Sequence, residues 1–252
     1  LNADTGQYAI DSVASGGRSA LGTWHIHANN TLCLLSCKPG LFTAHGRDAA
    51  GTIWLDDLGV DSSTEPATAW TNGTPARVPR AHASHKGTHG DVVVIGGEGL
   101  DRRGMGMTGA ALLAASAALH GGAGRVLVSL LDDGAMGLDE TLPELMFRRL
   151  DAIDLRSLTV VCGCGGGDAV RAVLPLVLSQ APRLVLDADA LNAVAADTGL
   201  RTLVRARAGR QSATVLTPHP LEAARLLGTD AATVQSDRLA AARQLADALG
   251  CT

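Results

Sequence analysis

Four short segments of this sequence gather residue types that can bind or act on a small anionic ligand. Gly104-Met105-Gly106-Met107-Thr108-Gly109 has the G-x-G-x-x-G pattern and runs into an alanine-rich stretch. Glycines ahead of a helix let backbone approach a phosphate, which free N–H groups and the helix dipole attract. Two other readings stay open: small residues packing a helix on a sheet, and a dinucleotide-binding turn with Asp132 as the ribose acid. The last has the wrong spacing, because Gly104 lies well beyond Ile95 instead of directly after the strand. Cys162-Gly163-Cys164-Gly165-Gly166-Gly167-Asp168 is denser still in glycine. So much conformational freedom is costly to order, which favours backbone lying close to a ligand over a mere turn. Asp187 and Asp189 follow an apolar run, with Asn192 one turn later. Carboxylates there suit a general base or a metal–phosphate contact, although Asp189 would equally serve as a helix cap. Thr217-Pro218-His219-Pro220 holds a histidine between two prolines, followed by Glu222. Its ring can donate to a ligand oxygen, and a neutral replacement is expected to weaken binding while hardly moving stability.

The elements that must position these segments alternate along the chain. Val92–Ile95 is a continuous apolar run, as expected of a strand buried on both faces. The pattern then predicts a helix over 108–120, strands over 125–131 and 158–162, and a helix over 169–180 containing Pro175. A strand over 184–186, a helix over 190–196, a strand over 213–216 and a helix over 221–227 follow. A last helix is expected from an N-cap at Ser236 to Gly250. Such alternation means a parallel sheet, with ligands beyond the carboxyl ends of its strands, where all four segments fall. Upstream, 30–35 and 52–55 read as strands joined through Lys38-Pro39-Gly40-Leu41 and a Gly/His/Asp loop. The stretch 61–84, with Pro66, Pro75, Pro79 and Asn72-Gly73, reads as a linker.

Composition narrows the function. Apolar residues are 46% of the 252, yet aromatics are only 2%, so the core must be built from Ala, Val and Leu. A net charge of −4 without a basic, aromatic-studded stripe argues against nucleic acid. No apolar run is long enough to span a membrane and no signal peptide pattern starts the chain, so the cytoplasm is the expected compartment. Five scattered cysteines do not form a disulfide framework. Cys33 and Cys37 lack a second pair for zinc and read as small buried residues. The same reading makes His25, His27, His82, His85, His89 and His120 surface or packing residues, and no metal site is expected within the chain.

Taken in order, these segments resemble one family. His85-Lys86-Gly87-Thr88-His89-Gly90-Asp91, then Val-Ile-Gly-Gly, then Gly-Met-Thr-Gly-Ala-Ala, look like the opening of NAD(P)H-hydrate dehydratases. Pro143-Glu144-Leu145-Met146, Leu186 through Asn192 and Leu216 through Glu222 continue the likeness to about Gly250. Leu1 through Gly6 and the stretch from Lys38 to Val60 resemble the tail of an NAD(P)H-hydrate epimerase domain, which precedes the dehydratase in bifunctional bacterial enzymes. The resemblance implies a ribokinase-like parallel sheet flanked by helices, preceded by the C-terminal remnant of a Rossmann-like α/β domain. Residues 1–60 would be the epimerase remnant, 61–84 the linker and 85–252 a dehydratase domain incomplete at its C-terminus. It implies a lyase removing water from hydrated NADH and NADPH with ADP and Mg2+, in a parent that also epimerises them with K+. It implies no nucleic-acid or membrane partner and leaves a homo-oligomer open.

Residue by residue, Ala110, Gly165 and His219 match positions that contact the hydrated dinucleotide; Asp187, Asp189, Asn192 and Glu222 are further candidates. The family usually has Ser at Glu98, and Gly-Pro-Gly-Leu-Gly where this chain has Gly163-Cys164-Gly165-Gly166-Gly167. Its nucleotide-binding Lys-Gly segment and terminal Gly-Thr-Gly-Asp motif, whose Asp is the expected base, have no equivalent up to Thr252. The resemblance therefore implies a catalytically incomplete chain within an active parent. A ribokinase-like small-molecule kinase and an inactive nucleotide-binding module are the competing readings.

Overall fold

The structure, a computed structural model, describes residues 27–61, 67, 69–75, 79–132 and 136–252. Leu1–Gly6, His25 and Pro66 lie outside these. The chain divides into two compact units, Leu1–Val78 with Ala232–Ala240, and Pro79–Ala231 with Ala241–Thr252.

In the first unit, β1 (Asn30–Leu34) and β2 (Thr52–Asp56) pair in parallel, Asn30 opposite Thr52. Leu35 leaves the strand one residue earlier than the sequence pattern suggests, with φ at +67°. Parallel neighbours need a crossover, and the Gly/His/Asp loop supplies one as a helix, α1 (Ala44–Ala49). Cys33, Leu41, Ala49 and Ala50 bury together under it. Leu32, Leu34 and Trp54, on the alternate positions of the strands, stay exposed. Cys37 is exposed as well, contrary to the buried reading, because it falls in the bend after β1 instead of on a strand face.

The second unit is built on six parallel strands: β3 (Asp91–Gly96), β4 (Arg125–Leu130), β5 (Met146–Phe147), β6 (Thr159–Cys162), β7 (Arg183–Leu186) and β8 (Ala213–Leu216). Their spatial order is β5-β4-β3-β6-β7-β8, all parallel. The chain winds outward from β3 in one direction, then returns to its other side at β6. Connections from these two neighbours leave in opposite directions, which opens a crevice at their carboxyl ends. Val93, Val94 and Ile95 are completely buried at the centre. Helix α3 (Thr108–His120) lays Ala111 and Ala115 directly on Val94, Val126 and Val128. Alanine there lets helix and sheet approach closely, which is how a chain so poor in aromatics builds a dense core. Helices α4 (Val170–Gln180), α5 (Asp189–Ala196) and α7 (Pro220–Leu227) add Leu174, Val177, Leu178, Leu191 and Leu226.

The structure departs from the sequence pattern in four further places. A one-turn helix, α2 (Leu100–Arg103), runs up to the first glycine segment and ends on Gly104 at φ +67°. The short strand β5 extends the sheet, where the sequence pattern offers only a motif. A whole helix, α6 (Thr198–Gly209), stands between α5 and β8, started by Asp197, whose carboxylate accepts from Gly199 N and Leu200 N. Finally, Ser236 ends the short helix α8 (Ala231–Ser236) instead of starting the last one. The last helix, α9 (Arg238–Leu249), has Asp237 before it, whose carboxylate takes the Ala240 amide.

Residues from Pro79 onward already belong to the second unit: Arg80 donates to Gly122 O at 2.8 Å. After α9, Thr252 donates to Thr214 O and its carbonyl accepts from Leu216 N, the parallel pairing a further strand beside β8 would make. Among the described residues no helix is long and apolar enough to cross a membrane.

Candidate functional site

All four chemistry-bearing segments meet at the carboxyl edge of the sheet. The loops after β3 and β6 interlock across the crevice: Gly97 N donates to Cys164 O, Glu98 N to Gly165 O at 2.6 Å, and Gly163 N to Ile95 O. Three glycines of the second loop, Gly163, Gly165 and Gly167, have positive φ (119°, 59° and 55°). Each is pressed on protein. A Cβ on Gly163 would stand 2.0 Å from Asp187 O, and one on Gly165 would stand 2.6 Å from Met107 O and 3.0 Å from the Ala110 side chain. Ala110 and Gly165, placed far apart by sequence, therefore touch. Two glycines of the first segment differ: a Cβ added to Gly104 or Gly109 would meet nothing within 4 Å, so the backbone there faces open space, whereas one on Gly106 would stand 3.3 Å from the Leu100 side chain. Met107 starts α3 without a side-chain cap, which suits an anion approaching from that side.

The Asp187–Asp189 turn braces the same loop. Ala188 between them has φ +48°, a region that costs a non-glycine residue on the order of 1–3 kcal/mol and that clusters at functional sites. The twist sends the two carboxylates to different partners. Asp187 accepts from Thr217 Oγ1 at 2.7 Å and from Cys164 Sγ at 3.4 Å. Asp189 accepts from Gly167 N at 2.8 Å, so it is the first residue of α5 and holds the glycine loop instead of capping its own helix. Burial, then the nearby Asp187 carboxylate, pushes the Cys164 thiol up to about 12, which keeps it a protonated donor. Asn192 turns away to accept from Arg225 of α7 at 2.6 Å.

His219 is the N-cap of α7. Its Nδ1 accepts from Leu221 N at 3.1 Å and from Glu222 N, and buried Glu222 accepts in return from His219 N at 2.9 Å. With Nδ1 accepting, the ring proton sits on Nε2, 3.1 Å from Glu222 Oε1. The side chain is still 57% exposed, so a ligand oxygen can compete with Glu222 for that proton. The expectation that a neutral replacement leaves stability untouched is corrected by this cap: the residue serves the helix as well. Beside the crevice, a cleft of about 840 Å³ opens at the ends of β4 and β5, lined by Ser129, Asp132, Phe147, Arg148, Arg149 and Leu176 among others.

A family model for NAD(P)H-hydrate dehydratase matches residues 92–252 of this chain, all of the six-stranded sheet but its first residue. The chain belongs to the NAD(P)H-hydrate dehydratase family. It is 41% identical over 180 residues to the ADP-dependent (S)-NAD(P)H-hydrate dehydratase of Neisseria meningitidis, covering 69% of this chain and 57% of that protein. It is 33% identical over 244 residues to the bifunctional NAD(P)H-hydrate repair enzyme of Escherichia coli, covering 89% and 43%. The chain thus spans about half the length of the curated relatives it matches. Among solved structures, a ribokinase-like superfamily protein from Enterococcus faecalis shares the fold, with a TM-score of 0.54 at 24% identity, covering 69% of this chain and 60% of that one.

Burial makes one pair in the crevice conspicuous. Glu98 is fully buried and is held by Arg103 through a hydrogen bond from Nε and an ion-pair contact from Nη2. Nothing in the sequence singles out Arg103, which sits in the unforeseen helix α2. The one available signal was a lone carboxylate inside an otherwise glycine and apolar strand end, which demands a partner close by.

Proposed function

We propose that the protein containing this chain removes water from hydrated NADH and NADPH, driven by ADP with Mg2+, as a lyase of metabolite repair. The observation that carries this reading is the contact of Ala110 with Gly165 at the crevice between β3 and β6, with His219 at the end of β8 on the same carboxyl edge of the sheet. Open backbone at Gly104 and Gly109, running into α3, gives the dinucleotide's phosphates a place to approach. The Nε2–H of His219 is the donor for a ligand oxygen. Asp187, Asp189 and Asn192 hold the walls of the site, since their oxygens are engaged with Thr217, Gly167 and Arg225. Glu222 fixes the His219 ring. Among the described residues no cluster of His, Cys, Asp and Glu could hold a metal ion by itself. Mg2+ in this reading therefore arrives on the nucleotide's phosphates, as that ion commonly does. The same reading has residues 1–60 as the end of a K+-dependent epimerase domain, 61–84 as a linker and 85–252 as dehydratase, in a cytoplasmic protein.

His219 tests it through two substitutions. Asn keeps a short oxygen that can cap α7 but has no Nε2–H, whereas Ala removes both. His219→Ala is expected to lose about 1 kcal/mol of stability through the cap. Its affinity for hydrated NADH should also fall by about 1–3 kcal/mol, as for a lost buried hydrogen bond. His219→Asn should recover the thermal midpoint and not the affinity. If Asn restores hydrate binding along with stability, the ring is a cap only and the placement of the substrate fails.

A further inference from the structure

Arg103 and Glu98 occupy the crevice without a part in the reading above. Glu98 Oε2 accepts from Arg103 Nε at 2.7 Å and lies 2.6 Å from Nη2, while Oε1 is buried with no hydrogen-bond partner. Gly167 is pressed against both: a Cβ there would stand 2.2 Å from Glu98 Oε2 and 2.6 Å from Arg103 Nη2. The charges of Asp168 and Asp189 also favour the guanidinium's protonated form. One carboxylate therefore holds this cation directly and the charges of two more act on it, at the crevice where an anionic dinucleotide would sit. Without the guanidinium their field repels a phosphate. A half-satisfied buried carboxylate is also an expensive way to hold a loop, since an apolar residue of that size would pack there at less cost.

The arginine itself is placed for exchange. Its side chain is 35% exposed, and it rides on the single turn of α2, bounded by Gly99 and by Gly104, which has open space around it. Gly99 lies directly against Asp132, a wall of the 840 Å³ cleft, a volume suited to a small-molecule ligand. A guanidinium can give one edge to a carboxylate and turn another to a phosphate, which an ammonium cannot do with the same geometry.

We propose that Arg103 binds a phosphate or the pyrophosphate of the substrate at the crevice between β3 and β6, and that Glu98 holds its guanidinium there in competition with that anion. This rests on the dehydratase reading for the identity of the substrate, and on the geometry alone for its phosphate chemistry. The probes are inorganic pyrophosphate and NADP+ in titration calorimetry, and hydrated NADPH in turnover. Arg103→Gln should weaken both probes at least about tenfold, as for a lost charge-assisted pair, and raise KM for the hydrate similarly with a far smaller change in kcat. Glu98→Gln weakens the grip on the guanidinium, so it should lower the thermal midpoint yet bind pyrophosphate as tightly as wild type or tighter. That opposition in sign is one that a purely structural pair does not give. Equal pyrophosphate affinity in wild type and Arg103→Gln, including no uptake by either, overturns the proposal; so does a loss in Glu98→Gln as large as that in Arg103→Gln. Wild-type protein that binds pyrophosphate through Arg103 but leaves hydrated NADPH untouched would uphold the site and reject the dehydratase reading.

Discussion

Gly163→Ala is expected to destabilise the second unit by about 4 kcal/mol, combining a disallowed backbone conformation with overpacking. Its φ of +119° is closed to side-chain-bearing residues, and the added methyl would lie 2.0 Å from Asp187 O and 2.7 Å from the Ala190 side chain. Neither neighbour can retreat: Ala190 is fully buried, and Asp187 is the residue through which β7 hands on to α5. Chemical denaturation should show the loss, and binding at the crevice should fall with it because Gly163 N also ties the loop to Ile95 O. Gly109→Ala is the matching control. It lies in the first turn of α3 with nothing within 4 Å of a Cβ, so alanine there should be neutral or stabilising by roughly 0.5–1 kcal/mol. Equal losses at the two positions would mean that these glycines are not divided between packing and open backbone as described.

Arg207→Met is expected to cost about 3 kcal/mol, from backbone acceptors left buried without donors. Arg207 is 1% exposed and has no carboxylate partner among its hydrogen bonds. Its guanidinium instead donates to Leu178 O and Ala181 O at the end of α4, to Ala213 O at the start of β8, and to Thr214 Oγ1. One side chain of α6 thus closes the carboxyl end of a neighbouring helix, where a cation is favoured by the helix dipole, and joins it to the edge of the sheet. Burial pulls its pKa down to about 10. The sign follows from linkage: above that value the unfolded chain holds more protons, so this group's contribution to stability rises with pH there and is flat at neutrality. For a unit of this size the expected drop in thermal midpoint is roughly 6–12 °C. Arg207→Lys should recover only part of it, because an ammonium cannot span four acceptors. A midpoint within about 1 °C of wild type for Arg207→Met would show that the carbonyls find other donors.

These two residues also mark where the sequence is readable. The apolar run at Val92–Ile95 and the alanine repeat after Thr108 have one structural solution each, and β3 and α3 lie where their patterns put them. The positions of Gly163 to Gly167, His219 and Asp187 at strand ends follow from the same alternation. Helix α6 was hidden by its own design: with Leu200 and Val204, the third residue of its buried stripe is Arg207, so the apolar period breaks where the helix matters most. An arginine satisfied by groups from other elements leaves no local trace. The partition of the glycines was equally out of reach, since open space and a backbone 2.0 Å away are properties of the folded neighbours. Ser236 and Asp237 are adjacent cap formers, and only the backbone shows that the second one starts α9. At His219 the donor is legible in the sequence, but not the Glu222 capping box that sets its tautomer.

Turnover decides most directly whether this crevice is a dehydratase site. Hydrated NADH, separated from NADH, is incubated with the protein that contains this chain, with and without ADP and Mg2+, and the return of the reduced nicotinamide ring is followed by its absorbance. NADH formation is expected to require ADP and to fall when His219 is replaced by Asn. An unchanged hydrate, with the protein instead phosphorylating a small-molecule alcohol from a nucleoside triphosphate, would contradict the dehydratase reading and establish a kinase on the same sheet.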